Sequence, residues 1–212
     1  MTFKLSAIAL GVGIMFGAGS ALADTATISQ TGSWNDSSIE QYDNNNAVST
    51  ITVDGYGNDA VVVQQDVNSA SAHITQTANR GDATIDQSGS EYWHHTVAGN
   101  NQTANINQTW GWGNTAWVTQ RGDNTDAMIT QGGFGNLAGI EQRGTGNTLV
   151  AASITQSGTL NDGYVEQRGS NLNASINQTG YKNEGVILQT GSGHVATMTQ
   201  VGAHNVGYIK QR

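Results

Sequence analysis

Glutamine recurs along this chain in a nearly fixed register, which constrains the possible fold more than any other feature. Gln131, Gln142, Gln156, Gln167, Gln178, Gln189, Gln200 and Gln211 are separated by 11, 14, 11, 11, 11, 11 and 11 residues. Upstream the series runs back through Gln120, Gln108, Val97, Gln87, Gln76, Gln64, Val53, Gln41 and Gln30 at intervals of 10 to 12. The unit reads Q-x-G-x-x-N-x-[AG]-x-[IV]-x-Q. Gln131–Gln142, Gln156–Gln167, Gln178–Gln189 and Gln200–Gln211 fit it at every position. Counted this way, seventeen units fill the chain from Ala26 to Arg212. An internal repeat of this length points to stacked copies of one small unit.

Each position of the unit has a physical reading. In Ala174, Ile176 and Gln178 the apolar and amide residues alternate with Ser175 and Asn177. A period of two puts the first set on one face of a strand and the second on the other. Glycine and asparagine tolerate positive φ, so Gln-x-Gly-x-x-Asn reads as a turn. Turn positions of this kind are Gly32, Asn35, Gly133, Asn136, Gly144, Asn147, Gly158, Asn161, Gly180, Asn183, Gly202 and Asn205. An unbroken strand would put glutamines 11 residues apart on opposite faces, and one turn per unit resets the face. Two units then make one coil of about 22 residues, within the range of solenoid repeats. The expected fold is an all-β, two-strands-per-coil parallel β-solenoid, amyloid-type. It would have about eight and a half coils at about 4.8 Å each, a rod of roughly 40 Å. Stacked Gln side chains both donate and accept, so they can satisfy one another down the rod.

Composition agrees with so thin a core. Hydrophobic residues make up 36% of the 212-residue chain, and there is neither proline nor cysteine. A chain that cannot build a bulky core and has no disulfides can instead be held by ladders of identical residues. The net charge of −8, with eight scattered Lys and Arg, argues against binding nucleic acid. Lys4, an apolar run from Leu5 to Ala18, and Ala21-Leu22-Ala23 have the layout of a secretory signal peptide. The expected division is residues 1–23 as signal peptide and 24–212 as one repeat domain.

The repeat leaves no constellation over for chemistry, so no catalytic, cofactor or metal site is expected. His73, His94, His95, His194 and His204 fall on different coils and read as exposed polar residues. Tyr92, Trp93, Trp110, Trp112 and Trp117 form an aromatic-rich stretch that could contact a surface. Counting alternate units gives an outward file of Ser29, Thr52, Thr75, Thr96 and Thr119, then Glu141, Glu166, Leu188 and Lys210. Its neighbour, Thr27, Thr50 and His73, is broken later by Trp117. A non-polymerising surface- or ice-binding solenoid is therefore an alternative to a fibre.

Gln142-Arg143-Gly144-Thr145-Gly146-Asn147 and Gln178-Thr179-Gly180-Tyr181-Lys182-Asn183 resemble the curlin repeat of bacterial curli fibre subunits. The resemblance implies self-association into an extracellular functional amyloid, a fimbrium-like fibre on a Gram-negative cell. Such a fibre serves biofilm matrix, surface adhesion and cell aggregation. The resemblance also implies secretion through an outer-membrane export pore and other curli-like subunits as partners. Unlike the family's major subunit, this chain passes almost directly from Asp24 into its first repeat, and it has more repeats. Its ending, Ile209-Lys210-Gln211-Arg212, is similar to that of the nucleator subunit, whereas its acidic total charge is similar to the major subunit. Both roles stay open.

Overall fold

The structure, a computed structural model, describes residues 24–92, 95–145 and 148–212. The expected signal peptide, Trp93, His94 and Asn147 lie outside the described residues.

The alternating segments form two parallel eight-stranded sheets. Sheet A stacks Thr25–Ser33, Val48–Tyr56, Ser71–Gln76, Thr103–Trp112, Thr125–Phe134, Val150–Thr159, Leu172–Tyr181 and Val195–Ala203, in that order. Sheet B stacks Asp36–Tyr42, Asp59–Gln65, Asp82–Ser88, Thr115–Gly122, Leu137–Gly144, Asp162–Ser170, Glu184–Ser192 and Val206–Gln211. The chain alternates between the sheets, so one strand of each makes a coil and the rod has eight coils. Eight coils at about 4.8 Å span about 38 Å.

The period-two pattern sets the core. Ile51, Ile74, Ile106, Ile129, Ile154 and Ile176 of sheet A face Val62, Ile85, Val118, Ile140, Val165 and Ile187 of sheet B, all buried. Small residues such as Ala72, Ala104, Ala127, Ala83, Ala116 and Ala138 line the same core two positions earlier. Alanine there lets the facing sheets approach, which is how 36% hydrophobic residues suffice. No helix among the described residues is long and apolar enough to cross a membrane.

The count of seventeen units is corrected to sixteen core strands. Val97 is not a ladder position: Gln76 pairs directly with Gln108, and Val97 pairs with Ser90 in a small sheet separate from the two stacked ones. There Ser90–Tyr92 and His95–Val97 form an antiparallel hairpin, the pattern a local turn produces. Positions 93, 95 and 97 have the spacing of a repeat but not its Ala-x-Ile-x-Gln residues.

The slip also reassigns the outward files. On sheet A, Ser29, Thr52, Thr75, Asn107, Thr130, Thr155, Asn177 and Thr199 lie in one register. Thr119, Glu141, Glu166, Leu188 and Lys210 belong to sheet B, in register with Glu40, Val63 and Asp86. Trp117 is likewise on sheet B. The neighbouring file on sheet A is instead interrupted by His73 and Met128, so the described residues hold no pair of unbroken threonine files on that sheet.

Candidate functional site: polar ladders and open ends

Glutamine closes each strand on its inner face, and there the side-chain amides form two ladders along the rod axis. In sheet B, Gln41 donates from Nε2 to Oε1 of Gln64 at 2.8 Å, and Gln64 to Gln87 at 2.8 Å. The chain of bonds runs on through Gln120, Gln142, Gln167, Gln189 and Gln211 at 2.8 to 3.0 Å. In sheet A it runs from Gln76 through Gln108, Gln131, Gln156 and Gln178 to Gln200, at 2.8 to 3.0 Å. Each Nε2 has a second use. Gln131, Gln167 and Gln178, for example, also donate across the core to the carbonyls of Thr115, Ala151 and Asp162. The amide therefore ties a coil both to the next coil and to its own facing strand. Most of these glutamines are fully buried, where an unpaired amide would cost about 1–3 kcal/mol.

Val53 occupies the ladder position between Gln30 and Gln76. Gln30 turns its Nε2 to Ser37 Oγ instead. Gln76 Oε1, which would accept from position 53, is buried with no hydrogen-bond partner.

Asparagine forms a third ladder at the arc from sheet A to sheet B, and its bonds run the other way. Asn205, Asn183 and Asn161 each donate from Nδ2 to Oδ1 of the asparagine one coil earlier, at 2.8, 3.0 and 3.1 Å. Asn136 donates to Asn114, and Asn58 to Asn35, both at 3.2 Å. The same Nδ2 atoms reach forward to the next coil, as from Asn136 to the Gly158 carbonyl at 3.1 Å and from Asn183 to that of Gly202 at 3.0 Å.

Beside this ladder the glycines allow backbone to stack on backbone. Gly32, Gly133, Gly158, Gly180 and Gly202 have φ of +106°, +117°, +124°, +123° and +112°. A Cβ on Gly133 would lie 1.8 Å from the Gly158 carbonyl oxygen, and one on Gly180 would lie 2.0 Å from that of Gly202. Gly202, in the last coil, would meet only Asn205 Nδ2 at 3.6 Å. Gly144 sits on the opposite arc, where a Cβ would lie 2.1 Å from the Asp123 carbonyl.

Asn58, Asn114 and Gln102 are buried polar residues that the repeat reading did not single out. Asn58 and Asn114 were legible: each follows Gly-x-Gly-Asn or Gly-Tyr-Gly-Asn spacing within the repeat. Gln102 falls outside the repeat. It donates to the carbonyls of Ser88 and Gly122, at 2.9 and 2.8 Å.

The outer faces differ. Sheet B carries Arg143–Glu141 and Arg168–Glu166 ion pairs at 3.0 and 2.5 Å. Tyr164 lies beside Glu141, and burial together with that carboxylate pushes its hydroxyl up to about 12. Trp110 and Trp112 are about half exposed: Trp110 meets Phe134 edge-on at 6.4 Å, and Arg80 lies 4.7 Å over Trp112. Trp117 is apart from them, packed near Tyr164 at 6.5 Å. The aromatic stretch is thus divided between faces. His73, His194 and His204 are likewise on separate coils, and no group of three or more metal-ligating side chains occurs among the described residues.

Among the described residues, nothing covers either end of the rod. Inward residues of interior strands are buried, whereas those of Thr25–Ser33 and Val206–Gln211 are only half-buried. Ala26, Ile28 and Ile209 are the partly covered members of the core. An open parallel edge presents unpaired backbone groups that can template another strand. The described residues thus form a ladder-stabilised β-solenoid whose two terminal coils each show an uncovered edge.

Residues 111–144, 122–150, 151–180 and 173–202 each match the curlin associated repeat. Residues 111–202 thus carry the curlin associated repeat. No curated protein matches the chain.

Proposed function

We propose that this protein is a structural subunit of an extracellular curli-type amyloid fibre, and that whole solenoids add head to tail. The curlin repeat points to self-assembly into such fibres. The observation that carries the head-to-tail reading is the match between the two ends. Continuing the register of sheet A past the last coil sets Ala196, Met198, Gln200 and Gly202 over Ala26, Ile28, Gln30 and Gly32 of the next copy. Sheet B likewise sets Ile209 and Gln211 over Ile39 and Gln41. The last asparagine, Asn205, would meet Asn35. The bonds within one chain would then recur at the junction between chains. Covering Ile28 and Ile209 contributes about 1–2 kcal/mol each.

On this reading Gln30, Gln41 and the other ladder glutamines are assembly residues, and the glycine–asparagine arcs keep the coils close enough to stack. Residues 1–23 serve as the signal peptide, and the fibre forms outside the cell. There it supports the matrix of a biofilm, adhesion to surfaces and aggregation of cells, with an export pore and further curli-like subunits as partners. The bulk-subunit role is preferred over the nucleator because every coil from Gln108 to Gln211 can both donate and accept a complete ladder.

The test is assembly of purified residues 24–212 at rising concentration, followed by sedimentation and electron microscopy. Fibres that form above a critical concentration, and that shorten the lag of fresh protein when added as seeds, support the proposal. A chain that stays monomeric and soluble would favour a solitary surface-binding solenoid.

A further inference from the structure

We propose that subunits join through a charge-matched junction in which Lys210 of one copy stacks on Glu40 of the next, and that this pair sets the direction of growth. The inference rests on the head-to-tail reading above. Residues 24–47 carry Asp24, Asp36, Glu40 and Asp43 and no lysine or arginine. Residues 193–212 carry Lys210 and Arg212 and no acid. The rod is thus acidic at its first coil and basic at its last.

The register makes the match specific. Lys210 and Glu40 each stand one residue before a ladder glutamine, Gln211 and Gln41, on the outer face of sheet B. Every sheet B strand pairs residue for residue with the next, as Leu188 with Lys210 and Gln189 with Gln211. A copy that continues this register places Glu40 directly across from Lys210. Directly opposed charges of opposite sign stabilise a strand pair, and like charges destabilise it. Within the chain, Lys210 and Glu40 take no part in the two ion pairs found among the described residues, Arg143–Glu141 and Arg168–Glu166. Glu40 instead accepts the hydroxyl hydrogen of Tyr42 through one of its oxygens.

The neighbouring arc agrees. Trp34 is 82% exposed, the most exposed large hydrophobic side chain described. It precedes Asn35 as His204 precedes Asn205, so the same junction lays Trp34 against His204. Inside the chain that arc already stacks His204 edge-on with Tyr181 at 5.4 Å. Joining two first coils, by contrast, would set acid against acid. Such repulsion selects against a wrong partner as effectively as attraction selects the right one.

Charge reversal tests this with the full mature chain. Lys210→Glu and Glu40→Lys should each raise the critical concentration for fibres about 5- to 10-fold, the effect of turning one favourable cross-strand pair into a repulsive one. A one-to-one mixture of the two variants should assemble at close to the wild-type concentration. In alternating order every junction then regains one lysine and one glutamate. The double variant should also assemble alone. Circular dichroism of each soluble variant identifies any that fails to fold, in which case Lys210→Gln and Glu40→Gln replace it. Single variants that assemble like wild type, or a mixture no better than its components, would overturn the charge junction while leaving fibre formation intact. Absence of fibres from the wild type would instead overturn the head-to-tail reading itself.

Discussion

The coils from Gln156 to Gln211 and those from Asp24 to Gln87 follow the same plan with different fidelity. In the later coils the register advances by 22 residues each time, Gln156 to Gln178 to Gln200 and Gln167 to Gln189 to Gln211, and every ladder bond is present. In the earlier coils Val53 interrupts the sheet A ladder and leaves Gln76 Oε1 unpaired in the core. Ser49 replaces a core alanine and bonds Gln64 at 2.6 Å. Asp36, Asp59 and Asp82 stack in one file at the start of sheet B. The carboxyl of Asp59 is held above the usual range by burial, with the two flanking aspartates adding to the effect. Identical residues in register help when they are amides, which pair, and hinder when they are carboxylates, which repel. The later coils keep every amide bond of the ladder, whereas the earlier ones carry both its gap and the run of three stacked aspartates.

The largest expected effect comes from breaking the better half. Replacing Gln178 and Gln189 by Ala strands Gln156 and Gln167 as donors and Gln200 and Gln211 as acceptors. Each substitution should destabilise the coil by about 1–3 kcal/mol, read by denaturant unfolding, and lengthen the lag of fibre formation. Ser175→Ala and Asn177→Ala, on the outer face of the same strand, should each change stability by less than about 0.5 kcal/mol. Equal effects at the two classes would refute the inner ladder as the source of the difference.

A smaller effect of opposite sign should come from repairing the weaker half. Val53→Gln supplies the amide that Gln76 Oε1 lacks, and should stabilise the chain by about 1 kcal/mol. Thermal unfolding would detect it, and a clear loss of stability would mean that the gap at Val53 is filled by packing rather than left open in the ladder.

The smallest effect is with pH. Burial raises the carboxyls of Asp59, Asp86, Asp126 and Asp162 in the folded chain above the ordinary value of 3.8. Between that value and the raised one the folded chain binds more protons than the unfolded chain, so stability falls as pH rises through this window. Acidifying from neutral to about pH 4 should therefore stabilise the solenoid in the coils that hold these four aspartates. Hydrogen exchange by segment would measure it, and protection that falls on acidification in those coils would contradict the assignment.

Much of this was legible in the residues themselves. Ala-x-Ile-x-Gln fixed which side faces in, because a period of two has one inner face, and the glycine–asparagine spacing located the arcs. The hairpin between Gln87 and Gln102 was not legible, because Val97 keeps the interval of a ladder position while pairing with Ser90 instead. That one miscount moved every later outward residue to the opposite sheet, Thr119 and Lys210 among them. The arcs also proved unlike one another. Asparagine ladders line one of them, while in the early coils the other holds the short pair Val67–Asn68 and Gly99–Asn100. Spacing alone does not separate the two, because each arc is defined by what stacks above and below it. Nor did spacing reveal that Gly133 and Gly180 are needed for close backbone approach as well as for positive φ.

The most direct test of the central claim is X-ray diffraction from aligned fibres of residues 24–212. Coils stacked along the fibre, within and between subunits, predict a strong reflection near 4.8 Å along the fibre axis and one near 10 Å across it. Fibres whose 4.8 Å reflection lies across the axis, or that show none, would contradict head-to-tail stacking of the solenoid.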